Sequence, residues 1–94
     1  MALQQITFQK QGDLYISEGF QVNSSSIGIH LEFADSNESN YINLMQSCTG
    51  SEFSSFNLLC IKDRVLDVNV LDLIPGQYIK VQTTLQPTLS KYLE

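Results

Sequence analysis

Apolar residues recur along this chain at every second position, not at every third or fourth. Ile27-Gly28-Ile29-His30-Leu31-Glu32-Phe33 is apolar at each odd position and small or polar at each even one. That is the pattern of a strand with one face on a core and the other in water. Ile6 and Phe8 alternate with Gln5, Thr7 and Gln9, and Leu66, Val68 and Val70 alternate with Asp67 and Asn69. Ile79, Val81, Thr83 and Leu85 continue the theme late in the chain. Leu14, Ile16, Phe20 and Val22 are expected on one face, interrupted by a bulge or bend at Glu18-Gly19, where a glycine weakens the strand. Residues 41–45 form another strand, pairing with 56–61 through an intervening turn. In the latter, Phe56, Leu58 and Cys60 alternate with Asn57, Leu59 and Ile61, so it is expected to be covered on both faces. Residues 89–94 read as a last short strand or an ordered tail.

Turn signals separate these runs at Gln11-Gly12-Asp13, Asn23-Ser24-Ser25-Ser26, Ser47-Cys48-Thr49-Gly50-Ser51, Lys62-Asp63-Arg64 and Pro75-Gly76. A helix competes only over residues 65–74, and the β-branched content there favours strand. The expectation is an all-β chain. It forms a single small antiparallel β-sandwich over residues 1–94, immunoglobulin-like or jelly-roll-like, with seven or eight strands. Within it, Leu73-Ile74-Pro75-Gly76-Gln77-Tyr78 reads as a type II turn, with Pro75 supplying φ and Gly76 the positive φ that follows. Such a passage places Tyr78 near the start of a central strand, its hydroxyl bonded to backbone upstream.

Composition narrows the function more than it names it. The hydrophobic share of 43% is that of a globular chain, and no run of eighteen apolar residues predicts a membrane span. Net charge is −5, with Lys10, Lys62, Arg64, Lys80 and Lys91 the only cations. Nucleic acids and anionic membranes are therefore poor partners, since both are bound by clustered Lys and Arg. Ser, Thr, Asn and Gln number 31 against 15 charged residues, a polarity suited to an exposed structural or binding protein. Met1-Ala2-Leu3-Gln4-Gln5 has neither the basic start nor the apolar run of a secretory signal. The protein is accordingly expected either to be made and used in the cytosol or to leave the cell by another route, such as lysis.

Candidate chemistry is sparse. His30 is the sole histidine, with Gly28 and Glu32 at strand spacing, and reads as solvated polar surface. One histidine completes no multi-histidine metal site, and Cys48 and Cys60 lie at no zinc-ligand spacing. The two cysteines fall at opposite ends of the 41–61 hairpin, too far apart for a disulfide. They are expected as free thiols, with Cys60 buried. The loop Asp35-Ser36-Asn37-Glu38-Ser39-Asn40 carries oxygen ligands but not the glycine and glutamate spacing of an EF-hand. Asn23 and Asn37 open glycosylation acceptor patterns that mean little without a signal. No nucleophile elbow or phosphate loop occurs. No catalytic, cofactor-binding or metal residue is expected, and no enzyme.

Two resemblances add to this reading. The corner Leu73-x-Pro75-Gly76-x-Tyr78 resembles that of fibronectin type III domains, but the chain has no tryptophan, so the core residue typical of that family is missing. The opening residues 1–10, Tyr15-Ile16-Ser17-Glu18 and the segment Leu73-Ile74-Pro75-Gly76-Gln77-Tyr78-Ile79-Lys80-Val81 are similar to small auxiliary or decoration proteins of tailed phages and prophages from Bacteroides-type bacteria. This resemblance implies a β-sandwich on the capsid surface or in a head fibre, with a major capsid or fibre protein as partner and the virion as its place. No catalytic motif defines that family. Loops or an exposed strand edge, not a pocket, would bind the partner, with Leu3, Phe53, Leu89, Tyr92 and Leu93 either as anchors or packed onto the domain's own sandwich; self-association is left open. The alternative is a carbohydrate-binding or adhesion module in which Tyr41, Phe53 or Tyr92 stacks on sugars.

Overall fold

The computed structural model describes residues 3–34 and 38–94 as ten strands without a helix. They are β1 (Leu3–Gln5), β2 (Phe8–Gln11), β3 (Leu14–Ser17), β4 (Phe20–Gln21), β5 (Ile27–Phe33), β6 (Asn40–Ser47), β7 (Ser54–Ile61), β8 (Val65–Val70), β9 (Tyr78–Thr83) and β10 (Pro87–Leu93). Two antiparallel sheets pack face to face as a sandwich. One has the order β1-β10-β5-β8; the other has β2-β3-β9-β6-β7, with β4 also on β9. Ile29, Leu31, Ile42, Leu44, Ile79 and Val81 fill the space between them, all essentially inaccessible.

The count exceeds seven or eight because two runs each read as one strand are divided in space. The first passes from the four-stranded to the six-stranded sheet at Ile6-Thr7. Ile6 turns into the core there, donating its amide to the Ser90 carbonyl (3.0 Å) and accepting the Ser90 hydroxyl (2.7 Å). The second is broken at Glu18-Gly19. Tyr15 and Ile16 pair with Thr83 and Gln82, whereas Phe20 and Gln21 pair with Ile79 and Tyr78, one residue out of step. That extra residue inverts the side-chain alternation. Leu14 and Ile16 therefore lie on the outer face of the sheet and do not share a face with Phe20 and Val22, which pack on the core. Ser17 takes the inward position instead. It is buried, and its hydroxyl accepts the Val81 amide (2.8 Å) that the bulge leaves without a strand partner.

The Pro75-Gly76 corner is a type II turn: Gly76 has φ of 96°, and the Gln77 amide donates to the Ile74 carbonyl. Tyr78 opens β9, an inner strand, as expected. Its hydroxyl makes no hydrogen bond to the backbone among the described residues; the ring lies over Gly50. The corner is tied by Gln77, which is buried. Its side-chain oxygen accepts the Ile74 amide (3.0 Å) and its amide nitrogen donates to Gln46 (3.0 Å).

β10 extends the expected last short strand. It is a full seven-residue strand between β1 and β5, starting at Pro87. A proline has no amide for the ladder, and here it stands at the first strand position, where the register also shifts.

Candidate interaction surfaces

The outer face of the four-stranded sheet is built by cross-strand rows. Leu3, Leu93, Gly28 and Asn69 are directly opposite one another across β1, β10, β5 and β8. The next row is Gln5, Lys91, His30 and Asp67, and a third holds Leu89, Glu32 and Val65. Because Gly28 has no side chain, the first row contains a trough of about 280 Å³. Leu3 and Leu93 wall it on one side and Asn69 on the other, with His30, Lys91 and Asp67 at one end. A Cβ on Gly28 would sit in the trough at 3.4 Å from the Asn69 side chain. Three of the residues named as anchors, Leu3, Leu89 and Leu93, are thus exposed on one face, Leu3 at 56%.

The other two anchors are placed differently. Tyr92 is 8% exposed, its ring stacked on Phe20 of the opposite sheet at 4.2 Å between centroids. Burial, with Glu94 adding, holds its phenol above the ordinary 10.0. Phe53 is half-buried on the outer face of the six-stranded sheet, lying against Gly19 with the Lys80 ammonium 4.6 Å from its ring centre. Of the aromatic residues considered for sugar stacking, Tyr41 alone is strongly exposed, so the three make no common platform.

His30 is clasped at both nitrogens. Nε2 lies 2.6 Å from Glu32 on the same strand and Nδ1 2.5 Å from Asp67 on β8. Period-two spacing anticipates Glu32; Asp67 comes from β8 and can be found only with the register known. The hydrogen bond to Glu32, then that to Asp67, raises the imidazole above its ordinary 6.5, while Lys91 stands opposite on β10. A folded pKa above the unfolded one means that the clasp stabilises below pH 6.5 and is lost as pH rises through the folded value. Denaturant midpoints should accordingly fall as pH is raised past 6.5, and the Glu32→Gln, Asp67→Asn double variant should flatten that fall.

Among the described residues, no three His, Cys, Asp or Glu side chains are grouped to hold a metal. Asp35 and Asn37 of the loop that carries oxygen ligands lie outside the described residues, and Asn37 is also the second acceptor asparagine. A further cavity of about 330 Å³ opens beside the strand crossing at Ile6-Thr7. It is lined by Phe8, Tyr15, Gln86 and Thr88, with Lys10 as the one charged side chain among the described residues there.

Cys48 and Cys60 are free and exposed. The exposure of Cys60 overturns the expectation of a buried thiol, and with it the strand covered on both faces. Residues 40–44 pair with 57–61 as expected, but β7 is the last strand of its sheet. Only Leu59 and Ile61 reach the core; Phe56, Leu58 and Cys60 face solvent. Alternation identifies the two faces of a strand without saying which of them a second sheet covers. No protein-family model matches this chain, and neither the curated proteins nor the solved structures contain a match.

Proposed function

We propose that this protein is a non-enzymatic structural component that attaches to a larger protein assembly, as an auxiliary or decoration protein on the capsid or fibre of a tailed phage. A small sandwich of the immunoglobulin-like or jelly-roll-like kind supplies a rigid face for such attachment. The observation that carries the reading is the Gly28 trough. Its apolar wall of Leu3 and Leu93 and its charged end at His30, Asp67 and Lys91 lie on paired strands, not on loops. A preformed recess of this kind accepts a protruding side chain of a partner with little ordering cost. The uncharged-polar composition and the likeness of the opening and Pro75-Gly76 segments to decoration proteins support the same reading.

The test is co-sedimentation with purified phage particles. Gly28→Val fills the trough with a residue at home in a strand, and Leu93→Lys places a charge on its wall. Each should reduce particle binding by roughly tenfold or more, as loss of a central contact does, with an unchanged circular dichroism spectrum. Binding unaffected by both variants would remove the trough from the interface. Specific hits on a glycan array would favour the adhesion module instead.

A further inference from the structure

A sheet edge guarded by neither charge nor proline is the second surface of this molecule. Natural sandwiches blunt their edges with short strands, edge lysines or other charges, prolines or bulges. Three edges here follow that practice: β1 has three residues, β2 carries Lys10, and β8 carries Asp67. β7 is eight residues long, Ser54-Ser55-Phe56-Asn57-Leu58-Leu59-Cys60-Ile61, and holds no charge and no proline. Its one irregularity is a bulge at Phe56, since Leu44 pairs with Asn57 and Met45 with Ser55. Residues 57–61 beyond the bulge form a regular strand with Leu58 at its outer face, 68% exposed.

The phase of the free hydrogen-bonding groups follows from the partner strand. Tyr41 directs its main-chain groups toward β9: its carbonyl accepts the Thr84 amide (3.2 Å) and its amide donates to the Thr84 hydroxyl (3.0 Å). Main-chain direction alternates along a strand. Asn40 and Ile42 therefore point toward β7, where they pair with Ile61 and Leu59. The amides and carbonyls of Leu58 and Cys60 are left pointing outward from the edge.

We infer that β7 pairs antiparallel with β7 of a second copy, about a two-fold axis at Leu59. In that register Leu58 meets Cys60 of the other copy and Cys60 meets its Leu58, so both sets of outward groups are used at once. Leu59 meets its own counterpart on the inner side. On the outer side Tyr41 and Cys60 line up with the second copy's Leu58, which covers the most exposed apolar residue of the strand. A shift of the axis to Leu58 would bring the Phe56 bulge against Cys60, and a shift to Cys60 would set Leu58 against Lys62. Charge agrees with the arrangement. β7 is uncharged in a chain of net charge −5, and the two-fold carries the Lys62-Asp63-Arg64 segment that follows the strand, net positive, toward Glu52 of the other copy, which precedes it. A five-residue strand contact covers less than the roughly 800 Å² per partner of a standard interface, so the dimer is weak, of the order of tens to hundreds of micromolar.

Sedimentation velocity of the full chain under reducing conditions tests this across that concentration range. The expected result is a monomer–dimer equilibrium that Leu58→Lys weakens by roughly tenfold or more, since a lysine on the edge opposes pairing. Leu71→Lys, equally exposed on a different segment, should leave it unchanged. Under oxidised glutathione, Leu58→Cys combined with Cys48→Ser should form a covalent dimer. Mass spectrometry should map its disulfide between the thiol introduced in one copy and Cys60 of the other. A monomer throughout the range overturns the inference, as does a dimer indifferent to Leu58→Lys. An edge reserved for an extended segment of another protein would give the first of these results.

Discussion

Tyr92→Ala should lower the stability of this domain by about 3–5 kcal/mol, the cost of removing a large buried ring that the surroundings cannot refill. Tyr92 lies in the middle of its sheet, opposite Gln4 on one side and Ile29 on the other. Its ring reaches across to Phe20 of the second sheet, nearly parallel at 16°. The stack is the point at which the C-terminal strand is joined to the opposite layer. In a chain of 94 residues the loss corresponds to a fall of roughly 15–25 °C in the unfolding midpoint, a large part of the stability such a chain possesses. Tyr92→Phe keeps the ring and should stay within about 1 kcal/mol of the parent. Urea unfolding followed by circular dichroism distinguishes the cases. A Tyr92→Ala variant of parental stability would mean that the ring is a surface anchor after all. Removing residues 86–94 should abolish folding, because it takes away an inner strand and leaves β1 without a partner and β5 paired with β8 alone.

Ser17→Ala is expected to cost about 1–3 kcal/mol, the penalty for a buried amide left without an acceptor. The bulge at Glu18-Gly19 removes the strand carbonyl that the Val81 amide would otherwise meet, and the Ser17 hydroxyl replaces it at 2.8 Å. The same hydroxyl donates to the Glu18 carbonyl (3.0 Å) and so holds the bulge in shape. Ser17→Thr retains the oxygen and should recover most of the loss. Native-state amide exchange gives the decisive readout: protection at Val81 should fall by more than at Ile79, which lies on the same strand. Equal losses at both amides would mean that the substitution acts through general packing and not through this bond.

Both predictions rest on places where the reading of the chain and its structure part. Glu18-Gly19 is legible as a bend, but whether a bend adds an odd or an even number of residues cannot be read from its composition. One residue decides whether Leu14 and Ile16 face the core with Phe20 or face solvent behind it. Gln77 shows the same limit at the corner. Pro75 and Gly76 announce the turn by their own backbone restrictions, whereas the side chain that ties it becomes visible only once Gln46 stands beside it. Of the outer-face site, Leu3 and Leu93 are legible as apolar residues near the chain ends. The trough between Leu93 and Asn69 is not, because a glycine becomes a recess only when its cross-strand neighbours are known.

Residue order alone is informative about local structure. Period-two alternation identifies the strands, and Gly12, Gly50 and Gly76 stand at turns with positive φ, as a residue without Cβ permits. Gly-Asp and Pro-Gly pairs set where the chain reverses, and the antiparallel all-β class follows from these. Which strands lie at the edge and which inside emerges only when the two sheets close on each other. That closure buries Tyr92, exposes Cys60 and leaves β7 open. A strand carries two faces and two hydrogen-bonding edges, and its own residues constrain only the faces. Apart from the β2–β3 and β6–β7 hairpins, the pairings join segments distant in sequence. Their partners are chosen by the packing of the whole core, and the surfaces available for binding are what that packing leaves uncovered.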